Sequence, residues 1–257
     1  MASLKHNKTN RSDDKTMTLS GHLKELRSRI VVCIICLVVF FLLGMHFAPE
    51  IVDNLTGLGK QYGYEYVYLS PQELLLQYFS VAMLAGAIFT LPVILFNIWA
   101  FIQPGLKENE NRLFLAALIF GLLFFVLGVL FAYKIMFPFM LRFLIGLSTG
   151  RGITASISVQ NYMAFLLTIF TVMGLVFELP VVCVVLTAMG LLNPVWLRKG
   201  RKFIIVGIFF VAAVITPPDI VSQVMVAIPM LGLFELSIIL CTIISGRKKT
   251  ADSQETQ

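Results

Sequence analysis

The chain alternates between long apolar runs and short polar stretches, and this pattern predicts its main elements. Six runs are apolar enough to cross a bilayer as helices, at roughly 20 residues per span. They cover residues 30–48, 74–100, 112–133, 161–190, 203–215 and the stretch from 220 onward. The fifth run is short, at about 20 Å of helix against a hydrocarbon core of about 30 Å. We therefore predict an all-α integral membrane protein with six transmembrane helices, the last two of them short.

The segments that connect these runs carry their own patterns. Apolar residues recur at helical spacing in residues 21–30, which predicts a short amphipathic helix on the membrane surface that runs into the first span. Residues 49–73 are polar, with tyrosines at alternate positions, and predict an extended loop. The run Ser-Pro-Gln-Glu at 70–73 predicts a helix start. Residues 134–160 predict a long connection that lies partly at the interface.

Composition supports a membrane protein and excludes other classes. The chain has 257 residues, of which 58% are apolar and only 13% are charged, and its mean hydropathy is +0.88. A water-soluble domain of this length does not need so much apolar surface. The net charge of +6 resides in tails and loops, so it does not indicate nucleic-acid binding. The first 29 residues lack the apolar core and the cleavage site of a signal peptide.

The distribution of basic residues predicts the orientation. With six spans, both termini lie on one side, and that side holds sixteen of the twenty Lys and Arg residues. The positive-inside rule then places both termini in the cytoplasm. This divides the chain into a disordered polar tail at 1–20, a membrane domain at 21–245, and a basic, then polar, tail at 246–257.

One ionisable residue, Glu178, lies near the middle of the fourth span, with Pro180 two positions later. A carboxylate at this depth costs about 2.5–3.5 kcal/mol on insertion scales, and proline removes a backbone donor where no bulk water replaces it. The pair predicts a functional polar site that faces protein or a water-filled cavity. The alternative is an interhelical hydrogen bond that fastens the bundle.

No catalytic or cofactor motif is visible. The three histidines are distant from the buried carboxylates, and the sequence has no phosphate-binding loop, nucleophile elbow or His-Glu-x-x-His motif. Cys33 and Cys36 form a CxxC inside the first span, where apolar surroundings disfavour thiolate or metal chemistry. We predict that the chain is not an enzyme and binds no cofactor or metal.

Charged residues gather at the predicted cytoplasmic boundary. Glu25, Arg27 and Arg29 precede the first span, and Glu108 and Glu110 precede the third. Carboxylates at this depth can receive a cationic ligand, and arginine suits them because its planar fork pairs with a carboxylate through two bonds. The alternative is a solvated surface that anchors to anionic lipids.

Four motifs, in order and in register, resemble those of the TatC family, whose members are the large subunit of the twin-arginine (Sec-independent) protein translocase. The motifs are His-Leu-x-Glu-Leu-Arg-x-Arg at 22–29, Trp-Ala-Phe-Ile-x-Pro-Gly-Leu at 99–106 with Glu110 and Arg112, Phe-Glu-Leu-Pro at 177–180, and Thr-Pro-Pro-Asp-x-x-Ser-Gln at 216–223. The resemblance covers residues 20–245.

The resemblance implies a receptor for signal peptides with paired arginines, which moves folded proteins across the bacterial cytoplasmic membrane using the proton-motive force. It implies that Glu25 and Glu110 contact the arginine pair, and that four further residues shape this site: Arg27, Arg29, Phe101 and Leu106. Because the segment around Glu110 departs from the family's more basic run, Glu108 is an alternative for the same role.

The resemblance also implies a cupped bundle, with Glu178 on its concave membrane face. Gln223 and the turn formed by Pro217, Pro218 and Asp219 would dock single-span TatA- and TatB-type subunits, and the chain would self-associate in a larger complex. The rival from another class is a proton-coupled small-solute transporter with Glu178 as its relay. Such transporters usually contain repeats, and we find no convincing repeat.

Overall fold

The structure is a computed structural model that describes residues 19–102, 108–147, 156–216 and 219–255. Side chains are described at 21–101, 115–147, 156–216 and 219–246. Helices dominate these ranges, which confirms the predicted all-α class. Five helical stretches are long and apolar enough to cross a membrane within the described residues. The fifth predicted span, at 203–215, lies in the helix Arg201–Ile215, which has only 15 residues, so the count of six stays a prediction.

The elements follow one another as α1 (Leu19–Gln61), β1 (Glu65–Val67), α2 (Glu73–Ile102), α3 (Glu108–Phe131), a π-helical turn (Ala132–Met136), α4 (Phe137–Gly146), β2 (Ser156–Ser158), α5 (Val159–Phe177), α6 (Leu179–Ala188), α7 (Pro194–Lys199), α8 (Arg201–Ile215) and α9 (Ile220–Glu255). The most extensive helix pairings are α1 with α2, α6 with α9 and α3 with α5.

The prediction of a loop at 49–73 is wrong for its first half, because α1 continues through Pro49 to Gln61. Val52 and Leu55 recur at helical spacing after the proline and are buried, with 2% and 7% of their surface exposed. Packing of this face into the core compensates for the backbone hydrogen bond that proline cannot donate. Only β1 retains the predicted extended form, paired in parallel with β2.

The prediction of a long connection at 134–160 is also wrong for most of its length. The third span passes through the π-helical turn directly into α4, where Phe137, Met140 and Leu141 are almost fully buried. Pro138 lies in the first turn of α4, directly after the π-helical turn.

The last two spans differ from each other. The fifth is short, as predicted, but the prediction of a short sixth span is wrong, since α9 has 36 residues and an apolar part that covers Ile220–Gly246. The helix also continues through the polar tail to Glu255. Pro229 lies inside this helix.

The fourth span is interrupted at Glu178. α5 ends at Phe177 and α6 begins at Leu179, with Pro180 in its first turn. The break therefore places the carboxylate at the junction of two helices in the middle of the span, because the proline has no N–H to continue the α5 ladder.

Candidate functional site

Glu25 and Arg29 form an ion pair near the start of α1, and Arg29 also bonds the end of α2. Arg29 donates from Nε at 3.0 Å and from Nη2 at 2.6 Å, both to Oε1 of Glu25. Nη2 also donates to the carbonyl oxygen of Ala100 at 3.0 Å. Both side chains are roughly three-quarters buried. The four-residue spacing puts them on one face of α1, and Arg29 holds that face against α2.

The second carboxylate oxygen of Glu25, Oε2, is buried and has no hydrogen-bond partner in the part of the chain that the structure describes. Nearby, the ring of His22 stacks on that of Phe101, with centroids 4.2 Å apart. Arg27 is exposed on the same helix. The site therefore offers one bound and one unpartnered acceptor oxygen beside an aromatic wall.

An apolar groove of about 370 Å³ adjoins this ion pair between α1 and α2. Arg29 and Phe101 are among the residues that line it, and the apolar lining continues along α1 through Ile30 and Ile34. An elongated ligand could therefore place a cation at Glu25 and an apolar segment in the groove.

Two predicted residues of this site are not tested. Leu106 lies outside the described residues, and Glu110, together with Glu108, lies in the first turn of α3, where side chains are not described. The structure thus brings Glu25, Arg29 and Phe101 together, and the pairing of Glu25 with Glu110 stays a prediction.

Glu178 lies against α3 and lines a separate cavity of about 380 Å³. Its Oε2 would lie 3.0 Å from a Cβ built on Gly121, and its Oε1 is buried without a partner among the described residues. The other residues that line the cavity come from α2, α3, α6 and the turn after α6, and all are apolar or glycine. Among the described residues, Glu178 makes no interhelical hydrogen bond, which was the alternative interpretation of this carboxylate.

At the α8–α9 turn, two of the predicted docking residues make hydrogen bonds. Oδ1 of Asp219 accepts from the backbone N–H of Ser222 at 2.6 Å, which caps α9. Nε2 of Gln223 donates to the carbonyl oxygen of Phe209 at 3.0 Å, which ties α9 to α8. Pro217 and Pro218 lie outside the described residues.

Sequence reasoning missed the role of Glu73. This carboxylate is 1% exposed, and it accepts from the Ser158 hydroxyl at 2.5 Å and from the Gln160 N–H at 2.8 Å. Its other oxygen accepts from the N–H of Leu69 at 2.8 Å. The sequence signalled a helix start at this residue, but the partners 85 and 87 positions away left no local pattern.

A second missed contact joins α8 to α9. Arg201 donates to Glu235 at 2.6 Å, with both side chains nearly half exposed. Within the described ranges, no three His, Cys, Asp or Glu residues lie close enough together to hold a metal ion.

Comparison with known proteins identifies the family. The model of the family described as "Sec-independent protein translocase protein (TatC)" matches residues 21–229. A curated relative from Aquifex aeolicus with that name is 38% identical over 91% of this chain and 98% of its own length. The relative of the same name from Escherichia coli K12 is 34% identical over 94% of each chain.

Solved structures agree with the sequence comparison. A crystal structure described as the twin-arginine translocase receptor TatC superimposes with a TM-score of 0.79, at 36% identity, over 87% of this chain and 99% of that chain. The resemblance, the all-helical fold and the translocase function predicted from the motifs are confirmed. The chain belongs to the TatC family of multi-pass, Sec-independent protein translocase proteins.

Proposed function

We propose that the chain is the translocase subunit that receives signal peptides with paired arginines at the face formed by Glu25 and Glu110. In this proposal it lies in the bacterial cytoplasmic membrane with both termini in the cytoplasm. It works with TatA- and TatB-type single-span subunits, self-associates, and moves folded proteins across the membrane using the proton-motive force.

The observation that carries the proposal is the unpartnered Oε2 of Glu25. A buried acceptor without a hydrogen bond costs about 1–3 kcal/mol, and more when it is charged. An incoming guanidinium removes this cost by donating to Oε2, while Arg29 keeps Oε1 and fixes the orientation of the carboxylate. Arginine is favoured over lysine because its rigid fork can bond two acceptors at once.

Two guanidinium groups require a second acidic residue, and the connection after α2 supports Glu110 for this role. Five residues separate the end of α2 at Ile102 from the start of α3 at Glu108, so α3 must begin within about 20 Å of the α2 terminus. Phe101, one residue before that terminus, already contacts His22 of the Glu25 site. Glu108 remains the alternative partner.

The other two predicted sites fit later steps of the same task. Glu178, in its apolar cavity, is a single polar point at membrane depth that a passing polypeptide or partner helix can contact. At the α8–α9 turn, Asp219 Oδ2 and Ser222 Oγ are buried without partners among the described residues. Together with Gln223 they offer acceptors and donors to a single-span subunit.

Crosslinking from position 110 tests the proposal. A photoreactive residue replaces Glu110 or Glu108 in membranes, and a labelled signal peptide with paired arginines is added. We expect crosslinks from these positions that an unlabelled arginine peptide suppresses and a paired-lysine peptide does not. Position 65, exposed on β1, is the control. Crosslinks from position 65 but from neither position 108 nor position 110 would overturn the proposal.

A further inference from the structure

A groove of about 710 Å³ runs between α2 and α5 and shares no residue with the cavity at Glu178. Its size falls within the range of small-molecule sites. The lining is mostly apolar with a few polar side chains, and none of the lining residues is charged. The polar members are Gln77, Ser80, Gln160, Thr168 and Thr171.

Gln77 indicates that this groove receives a polar group. The residue is 96% buried, since only 4% of its surface is exposed, yet it lines the groove. Its side-chain amide makes no hydrogen bond to the residues that the structure describes, and the amide atoms are not fully enclosed by protein, so they stay accessible from the groove. A polar group bound in the groove can therefore supply the hydrogen bond that the described residues do not.

The groove presents acceptors more than donors. The hydroxyls of Ser80, Thr168 and Thr171 all donate to the carbonyl oxygen four residues earlier in their own helices, at 2.7–2.8 Å. Their oxygens keep lone pairs that a ligand can use. Glu73 adds negative charge one helical turn before Gln77, and its own bonds are already made by protein donors. A ligand that carries N–H donors and positive charge complements this surface.

The depth of the groove matches an amphipathic molecule. α2 has 30 residues, about 45 Å, which equals the thickness of a bilayer with its headgroups. Gln77 lies about 6 Å from the start of this helix, and Gln160 is the second residue of α5, so both fall in the headgroup layer. Farther along, the lining is alanine, leucine, methionine and valine with internally bonded hydroxyls, which suits an acyl chain.

The geometry points to a binding site for a phospholipid whose headgroup ends in a primary ammonium. The ammonium of an ethanolamine headgroup donates to Gln77 and its neighbours at the mouth, and one acyl chain lies along the groove. A choline headgroup has the same charge but no N–H, so the site discriminates between the two lipids. This site is independent of signal-peptide binding.

Lipid counting on the purified chain tests the site. The protein is equilibrated with equal amounts of ethanolamine and choline phospholipids with identical chains, and retained lipids are counted by native mass spectrometry. We expect an ethanolamine preference of about three- to tenfold, the equivalent of one hydrogen bond in a membrane protein. Gln77→Leu removes the preference, and Ala164→Leu, which fills the groove, removes the bound lipid.

The matched control is Asn97→Leu, the same change of amide to leucine on α2, about 30 Å along the helix. It should leave the preference unchanged. Equal retention of the two lipids by the unaltered chain would overturn the proposal, and so would an unchanged preference in Gln77→Leu. Crosslinking from position 80 to a polypeptide and not to lipid, in native membranes, would assign the groove to a partner helix and overturn it as well.

Discussion

The carboxylate of Glu178 lies against Gly121, and no larger residue fits at position 121 without moving it. A Cβ at Gly121 would approach Oε2 to 3.0 Å. The glycine on α3 therefore supplies the space in which the carboxylate of the fourth span faces its cavity.

Filling that space should impair transport and spare recognition. We expect Gly121→Val to slow export of a twin-arginine reporter about tenfold, because the larger side chain displaces the carboxylate; this rate change corresponds to about 1.4 kcal/mol in the barrier. Signal-peptide affinity should stay unchanged, because Glu25 lies at the other site. Gly207→Val is the control, since nothing lies within 4 Å of a Cβ at that position. Export at the normal rate by Gly121→Val, at equal protein level, would contradict this role.

Glu73 should be a major source of stability near the start of α2. Replacing it with alanine leaves three donors without their acceptor: the buried Ser158 hydroxyl and the part-buried N–H groups of Leu69 and Gln160. We expect Glu73→Ala to lower the free energy of unfolding by about 3–5 kcal/mol. Thermal unfolding in detergent measures this, with the exposed Glu65→Ala as the control. A midpoint for Glu73→Ala equal to that of the control would refute the assignment.

The loss of a backbone donor at Pro180 was recognisable in the sequence, although the break in the fourth span was not itself predicted, whereas the contacts of Glu73 were not recognisable at all. The difference is one of range. Glu178 and Pro180 are two residues apart, and the effect of proline on its own helix is local. The Glu73 network joins segments more than eighty residues apart, and no periodicity reports such a contact. In the same way, the polar, tyrosine-rich character of residues 49–73 predicted a loop. Tertiary packing of Val52 and Leu55 instead keeps the first half of this segment helical.

The receptor site also combines features that the sequence reveals with features that only the fold reveals. Glu25, Arg29 and the 99–106 motif were recognisable by their order and charge, but the hydrogen bond from Arg29 to the Ala100 carbonyl depends on how α1 crosses α2. The polarity of the α2–α5 groove was also invisible, since Gln77, Ser80 and Thr168 are scattered through apolar runs.

Close packing of α3 on α5 predicts a sharp effect at Gly128. A Cβ there would lie 2.7 Å from the carbonyl oxygen of Met173 and 2.8 Å from the Phe177 ring. Because backbone cannot move aside cheaply, Gly128→Ala should destabilise the chain by about 1–3 kcal/mol. Gly232→Ala, in open space within α9, should be neutral or stabilising by up to about 1 kcal/mol. Equal unfolding midpoints for these two variants would count against the predicted packing.

The tyrosine cluster at β1 predicts a response to alkaline pH. Burial raises the pKa of Tyr66 to about 12, above the unfolded value of about 10. Its contribution to stability is therefore complete below pH 10 and is lost as the pH rises through 12. In Tyr66→Phe the fall in unfolding temperature between these values should be shallower, whereas the exposed Tyr68→Phe should follow the unaltered chain. An identical slope in Tyr66→Phe would contradict the burial of its hydroxyl.

Signal-peptide titration tests the central claim most directly. Purified chain is titrated with a labelled peptide that carries paired arginines, for the unaltered protein, for Glu25→Gln, and for Glu50→Gln as the matched change at the exposed far part of α1. We predict an affinity loss of about ten- to hundredfold in Glu25→Gln, the value of a charged hydrogen bond, and none in Glu50→Gln. Equal affinity for the unaltered chain and Glu25→Gln would contradict the account.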